Sequence, residues 1–241
     1  FIDRATSKYE NIDVRDLVDS ITKGLPSQIT VKDLALHFAN SAQSHGMGLL
    51  AGNLEMFALH KDTPDTFTKA MRLLPLAPEF LEKVEKLDLD QYIQHSMDFT
   101  YDLFALRTLK RSYLMREGGY KTGRIVERPQ YMLMRVAVSL YDTLPDILTT
   151  YSALSAKEFT FATPTLFNAG MKNGQFASCF LGVMQDDSIE GIFNTVKQTA
   201  KISKMAGGIG ISISNIRAAG SPIHGTMGVS NGIVPMLKVF N

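Results

Sequence analysis

Residues 178–212 read SCFLGVMQDDSIEGIFNTVKQTAKISKMAGGIGIS, and this stretch decides the fold class. Gln175 to Met184 predicts a buried strand, and the alternation of apolar residues with Ser or Gly from Ile209 to Ile216 predicts another. The residues between them predict a helix that begins at Asp187 and ends at Gly207-Gly208. Its apolar stripe consists of Ile189, Ile192, Phe193, Val196 and Ala200. A strand, a helix and a strand form one βαβ unit, so we expect a parallel sheet and an α/β fold.

The chain before this unit reads as helices. Thr30, with Asp33 three places on, is typical of a helix N-cap. Two apolar stripes at helical spacing follow. The first contains Val31, Leu34, Ala35, Phe38, Ala39 and Ala42, and the second contains Met47, Leu50, Ala51, Leu54 and Ala58. Residues 64–86 are amphipathic, and we expect Pro75 and Pro78 to break them.

Residues 96–141 have a different character. A polar turn at Glu117–Gly123 precedes Pro129, which suits the first turn of a helix because proline lacks an N–H there. Apolar residues from Tyr131 to Leu140 cover almost every face, so we expect this helix to be buried. Asn231 to Asn241 predicts a further helix.

Composition limits the function classes. The 25 basic and 24 acidic residues nearly balance, so charge gives no case for nucleic-acid or membrane binding. A single cysteine excludes an internal disulfide and favours a reducing, cytoplasmic setting. The N-terminus does not resemble a signal peptide, and no apolar run would span a bilayer. The five histidines lie at no metal-ligand spacing, so we expect no metal site. Neither Rossmann nor P-loop glycine motifs occur.

Several short motifs together resemble the large catalytic subunit of class I ribonucleotide reductase. They are ERPQ at 127–130, FATPTLFNAG at 161–170, SCFL at 178–181, DDSIEGI at 186–192, ISKMAGGIG at 202–210, NIRAAG at 215–220 and NGIVPML at 231–237. The resemblance implies a mainly helical N-terminal domain followed by the first part of a ten-stranded α/β barrel. We expect a remnant of an ATP-cone-like region at 1–45, the helical domain at 46–158 and an incomplete barrel at 159–241.

The resemblance implies reduction of ribonucleoside diphosphates to deoxyribonucleoside diphosphates by radical chemistry. Cys179 would be one half of a redox pair, although a lone cysteine is otherwise a small buried hydrophobe. Thr163, Ser178, Gly207 and Gly208 would contact the substrate, whereas by themselves they read as a turn and a helix stop. The radical cysteine would lie beyond Asn241. We therefore expect a partial chain that is inactive alone.

A second implied site binds an allosteric effector, ATP or a deoxynucleoside triphosphate. Its residues would be Asp187, Ser188, Ile189, Lys204, Arg217, His224 and Gly225. Spacing alone gives simpler readings. Asp187 and Glu190 form a D-x-x-E capping box, Lys204 complements the helix dipole, and Arg217 is a solvated charge. Arg217 also suits bidentate contact with phosphate.

The resemblance further implies a homodimer, a small radical-generating subunit that contains a metal, and thioredoxin or glutaredoxin as reductant. Two alternatives remain open within this reading. One is a nucleotide-binding regulatory fragment, or half of a split subunit, without catalysis of its own. The other is a cobalamin-dependent reductase, which needs no small subunit, although residues 96–141 favour class I. An α/β dehydrogenase is a more distant alternative.

Overall fold

A computed structural model describes residues 18–19, 21–23, 25–117, 122–205 and 207–240. The chain divides into two compact units. The first comprises residues 1–161 and 166–174, and the second comprises residues 162–165 and 175–241. Among the described residues, no helix is both long and apolar enough to cross a membrane. Of the expected ATP-cone remnant at 1–45, residues 1–17, 20 and 24 lie outside the described residues.

The first unit is helical. Thr30, Thr66, Asp102 and Thr143 each cap a helix by accepting a hydrogen bond from the N–H three residues on. The helices are α1 (Val31–Ser44), α2 (Gly48–Asp62), α3 (Phe67–Arg72), α4 (Pro78–Leu87), α5 (Leu103–Ser112), α6 (Pro129–Leu140) and α7 (Leu144–Ser155). Short 3-10 helices cover Leu89–Tyr92 and His95–Thr100. The predicted cap at Thr30 is therefore confirmed.

Helices α1 and α2 pack against each other through the predicted stripes. Ala39 and Ala42 of α1 and Leu50 and Ala51 of α2 belong to one buried cluster. Val31 is an exception in its predicted stripe, because it lies in the first turn and is 63% exposed. The stripe therefore identifies the inward face correctly but extends one turn too far.

The sequence predicted that Pro78 would break a helix, but Pro78 instead begins α4 at its first position. The reason is that the first helical N–H has no intrahelical partner, so a proline costs nothing there. Pro75 lies in the connection between α3 and α4, as expected for a helix breaker.

Helix α6 is buried on all sides, as predicted, from Pro129 to Val138. Arg135 of this helix forms a buried ion pair with Glu127. The guanidinium is 2.6 Å from the carboxylate, and both side chains have no exposed surface. Arg135 also donates to the main-chain oxygens of Leu166 and Ala169. The other oxygen of Glu127 accepts from the Met115 N–H. This pair joins four segments of the first unit, and its polar atoms are satisfied as burial requires.

The second unit contains the predicted βαβ arrangement. Strand β1 (Cys179–Val183) runs parallel to β2 (Gly208–Ser212), and α9 (Ile189–Lys204) connects them. In the register of the two strands, Cys179 lies opposite Gly208 and Val183 opposite Ser212. Helix α8 (Thr163–Asn168) precedes this arrangement, and α10 (Ile233–Leu237) with a 3-10 turn at Lys238–Phe240 follows it. The described residues form this two-stranded sheet and no closed barrel.

The structure corrects both predicted strands. Each is five residues long, and β1 is mostly exposed, with Leu181 at 94%, rather than buried. The apolar residues of β1 suggested a buried strand because central parallel strands, which are covered on both faces, have such a pattern. In a sheet of two strands, the described chain does not supply that cover.

Helix α9 also differs from the prediction at both ends. Ser188 is the N-cap, with its hydroxyl accepting from the Gly191 N–H at 3.0 Å, so Asp187 and Glu190 do not form the expected capping box. The helix ends at Lys204, and Gly208 already belongs to β2. Phe193 was expected inward but is 55% exposed, whereas Gly191 and Thr195 are buried. The buried residues of the inward face are thus small ones rather than the large apolar residues of the predicted stripe.

Candidate functional site

The Asp187 carboxylate and the Arg217 guanidinium form the centre of the candidate site. Arg217 Nε donates to Asp187 Oδ2 at 2.6 Å, and the Arg217 main-chain N–H donates to the same oxygen at 3.3 Å. Arg217 Nη2 reaches the Asp187 main-chain oxygen at 3.2 Å. Both side chains are about one quarter exposed. The two residues lie thirty positions apart in sequence, and the βαβ arrangement brings them together.

The first turn of α9 fixes where Asp187 lies. A Cβ at Gly191 would stand 2.6 Å from the Asp186 main-chain oxygen, which is closer than a side chain permits. Only glycine therefore allows the chain at Asp186 to pass over this turn. With Ser188 occupying the cap, the Asp187 carboxylate is directed to Arg217 instead of to the helix.

A small hairpin lies beside this ion pair. Pro222 and Val229 form an antiparallel bridge, and His224 and Gly225 lie between them in an exposed turn. Arg217 Nη1 donates to the Pro222 main-chain oxygen at 2.9 Å. The structure thus brings Asp187, Ser188 and Arg217 to the base of the hairpin that carries His224 and Gly225, two more of the predicted residues.

Lys204 is not brought to this centre within one copy of the chain. It is the last residue of α9, a helix of 16 residues, whereas Asp187 precedes its first turn. A helix of this length spans about 24 Å. Ile189, the first residue of α9, is 69% exposed close to Asp187. The predicted effector residues therefore divide into one compact group and one distant lysine.

The predicted substrate residues gather at the beginning of the two strands. The Gly208 N–H donates to the Ser178 main-chain oxygen at 2.7 Å, and Gly208 lies opposite Cys179. The Cys179 thiol is exposed and lies 3.6 Å from the Ser178 hydroxyl. Gly207 directly precedes β2. An exposed thiol can react with dissolved reductants and oxidants, unlike a buried structural cysteine.

Thr163 lies at the start of α8, which is connected to the same region. Two residues on, the Thr165 hydroxyl donates to the Phe176 main-chain oxygen at 3.1 Å. Phe176 is three positions before Cys179. This hydrogen bond brings the segment of Thr163 near the strand that carries the thiol.

A cluster in the first unit was missed by the sequence analysis. His60, His95 and Asp98 offer ligand atoms within 4.8 Å of one another, which is a donor set that suits zinc or another transition metal. However, the Arg128 guanidinium lies 3.3 Å from His95 Nδ1, so a cation already borders the cluster. Burial and this guanidinium lower the pKa of His95. The residues lie up to 38 positions apart, so no local spacing could have indicated them.

Comparisons with known proteins agree with this architecture. A family model described as the all-alpha domain of ribonucleotide reductase matches residues 99–174, and one described as its barrel domain matches residues 177–241. The chain is 42% identical to the ribonucleoside-diphosphate reductase large subunit of variola virus, over 96% of the chain. It is 40% identical to the large chain of Schizosaccharomyces pombe over 96% of the chain, and 48% identical to the Dictyostelium discoideum large subunit over 80%.

A helical unit followed by the first strands of a parallel α/β barrel defines the class of protein. Since the two family models together match more than half of the chain, the chain belongs to the ribonucleotide reductase large-subunit family. It spans about a third of the length of two of these relatives, 32% of the variola virus protein and 31% of the yeast protein, and 24% of the Dictyostelium protein.

Proposed function

We propose that this chain supplies the effector-binding part and one redox thiol of a class I ribonucleoside-diphosphate reductase large subunit. The observation that carries this proposal is the ion pair of Asp187 with Arg217, since it joins two of the residues expected for the effector beside the N-terminus of α9. The reaction would reduce ribonucleoside diphosphates to deoxyribonucleoside diphosphates, the precursors of DNA. Catalysis would require the rest of the large subunit.

The ion pair leaves groups available for a nucleoside triphosphate. The described contacts of the Asp187 carboxylate fall on Oδ2, so Oδ1 is available to accept from a sugar hydroxyl. Arg217 uses three of its five side-chain N–H groups, and the remaining two can contact phosphate. Ser188, Ile189, His224 and Gly225 would line the same site, with the exposed Ile189 side chain beside the base.

We assign the redox role to Cys179 and substrate contact to its neighbours. In this proposal Cys179 and a second cysteine give two electrons and two protons to the ribonucleotide and become a disulfide. Thioredoxin or glutaredoxin would reduce that disulfide afterwards. Thr163, Ser178, Gly207 and Gly208 would hold the substrate at the start of the strands, beside the exposed Cys179 thiol.

We further propose a cytoplasmic homodimer that works with a small, metal-containing, radical-generating subunit. The distance along α9 supports the dimer, because Lys204 of one copy cannot reach Asp187 of the same copy. In a dimer with antiparallel α9 helices, Lys204 of the second copy would approach the effector phosphates. The domain boundaries given above, including the ATP-cone remnant, belong to the same proposal.

A regulatory fragment without catalysis is the second candidate. One observation favours it: the compact group around Arg217 lies entirely in this chain. The redox reaction needs two cysteines, whereas this chain contains one. Both candidates predict effector binding. They differ in turnover once the remainder of a large subunit is present.

Calorimetric titration with dTTP tests the effector site. Arg217→Gln should weaken dTTP binding by roughly tenfold to 150-fold, which corresponds to losing one charge-assisted hydrogen bond of about 1.5–3 kcal/mol. Arg72→Gln is the matched control, because Arg72 forms an exposed ion pair with Glu85 in the other unit. Circular dichroism would verify that both variants fold. Equal dTTP affinity in the two variants would reject the effector site.

A further inference from the structure

The first unit contains a cavity of about 210 Å³ whose charged lining is mainly basic. Five charged residues line it, namely Lys32, Asp62, Lys110, Arg116 and Arg124, and its other lining residues are apolar. We call it the basic cavity. Its volume corresponds to roughly seven water molecules, which is the scale of one or two phosphate groups.

Arg116 is the fixed cation of the basic cavity. Its Nη1 donates to the Gly123 main-chain oxygen at 3.1 Å, and its Nη2 donates to the Lys110 main-chain oxygen at 2.9 Å. The described contacts therefore hold the guanidinium in place through carbonyl groups, which do not neutralise its charge. Because Arg116 is partly buried and three of its side-chain N–H groups remain, it is preorganised to bind an oxyanion.

Lys110 adds a positive charge that is only partly neutralised, because its carboxylate partner is shared with a second cation. Its ammonium is 2.6 Å from Glu55, and Arg107 is 2.9 Å from the other oxygen of the same carboxylate. Glu55 is 3% exposed, so one buried negative charge serves two cations. An anion that enters the cavity would therefore be attracted by the positive charge that Glu55 does not neutralise.

The remaining cations of the lining form more exposed ion pairs. Lys32 is 2.5 Å from Asp62 and Arg124 is 3.1 Å from Glu117, and all four side chains are at least 40% exposed. Exposed pairs of this kind contribute little, because water screens them. A multiply charged anion could therefore recruit Lys32 and Arg124 at small cost. The hydrogen bond with Asp62 raises the pKa of Lys32 most, and Asp33, which adds to this effect, accepts a hydrogen bond from Thr30.

We propose that the basic cavity binds a phosphorylated ligand through its phosphate groups, with Arg116 as the fixed contact and Lys32, Lys110 and Arg124 closing around it. The ligand class is a diphosphate or polyphosphate anion, either inorganic or as part of a nucleotide. This site is separate in sequence and in folding unit from the residues around Arg217. It does not depend on the function proposed above.

Calorimetric titration of the full chain with inorganic pyrophosphate at low ionic strength is the test. Saturable binding is expected, and Arg124→Gln should weaken it by about tenfold. Lys32→Gln should act in the same direction. Both residues are exposed, so neither change should disturb folding. Arg72→Gln, which removes a cation elsewhere in the same unit, should leave the affinity unchanged.

Arg217→Gln separates this site from the proposed effector site. Pyrophosphate binding should persist in Arg217→Gln and weaken in Arg124→Gln, whereas dTTP binding at the effector site should weaken in Arg217→Gln. In the Arg217→Gln protein, displacement of pyrophosphate by ATP would identify a nucleotide as the ligand, and absence of displacement would identify a small inorganic anion. The proposal is overturned if pyrophosphate gives no saturable binding, or if Arg124→Gln and Arg72→Gln bind it equally.

Discussion

His95 illustrates how a single residue links charge to stability. It is partly buried beside Arg128, and its ring lies in a cluster with His60 and Asp98. Burial lowers its pKa most, and Arg128 and His60 lower it further, whereas Asp98 and Asp90 oppose them. The folded protein therefore keeps His95 neutral at a pH where the unfolded chain already takes up a proton.

The sign of the resulting pH dependence follows directly. Below the ordinary histidine pKa of about 6.5, the unfolded state binds more protons at this position, so the free energy of unfolding falls as the pH falls. His95→Gln should make the loss of stability between about pH 7.5 and pH 5.5 smaller, as measured by urea denaturation at each pH. His45→Gln, at an exposed helix end, is the control. Identical pH profiles for His95→Gln and the unmodified protein would contradict this account.

Individual residue roles were predictable from sequence only where the signal was local. The cap at Thr30 and the first-turn Pro129 needed four residues of context and were confirmed. Asp187 was assigned to a capping box, but the adjacent Ser188 competes for the same N–H groups and occupies the cap. The preferred partner of Asp187 lies thirty residues away, and a local pattern cannot contain that information.

At the scale of elements, the crossing of α2 over the start of α5 depends on Gly52. A Cβ on Gly52 would lie 2.4 Å from the Tyr101 main-chain oxygen and 2.8 Å from the Leu103 nitrogen. These are main-chain atoms at the beginning of α5, so they cannot move aside as a flexible side chain would. The glycine allows the two helices to approach within backbone contact.

Gly52→Ala should therefore destabilise the protein despite the higher helix propensity of alanine. Overpacking costs about 1–3 kcal/mol, and it exceeds the gain of up to ~1 kcal/mol from propensity. Gly48→Ala in the same helix is the matched control. Its added Cβ would find its nearest neighbour at 3.7 Å, so its effect should be neutral or stabilising. Urea denaturation compares the two, and a stability loss no larger in Gly52→Ala would refute the argument.

The sequence predicted elements well where burial lies within one helix or between neighbours. The stripes of α1 and α2 and the all-round apolar character of α6 correspond to buried faces. The prediction of burial was wrong for β1, which is exposed, and for Phe193, which points outward on α9. An apolar side chain indicates that a surface tends to be covered, but it does not indicate which part of a molecule covers it.

At the scale of the whole molecule, α9 presents an apolar pair outward. Ile189 and Phe193 are one turn apart and are 69% and 55% exposed. They accompany the polar residues Asn194, Lys197 and Gln198 on a surface of mixed character. Such a surface suits an interface that a ligand strengthens rather than a permanent apolar one.

We expect dTTP to raise the dimer population, because an effector that binds preferentially to the paired state shifts assembly by mass action. Phe193→Ser should reduce dimerisation in sedimentation velocity experiments with dTTP. Phe104→Ser is the control, since Phe104 is 82% exposed in the other unit. Monomer at every dTTP concentration would remove the dimer proposal. An equal loss of dimerisation in both variants would show that α9 has no specific role in the dimer interface.

The short parallel sheet also has a practical meaning for anyone who purifies this polypeptide. Leu181 and Val183 of β1 are 94% and 62% exposed, in a sheet whose described part has only two strands. Unpaired strand edges with apolar side chains are templates for aggregation. Concentrated stocks will therefore tend to precipitate, and Leu181→Lys is the first substitution to introduce for solubility, because a charged edge residue discourages intermolecular strand pairing.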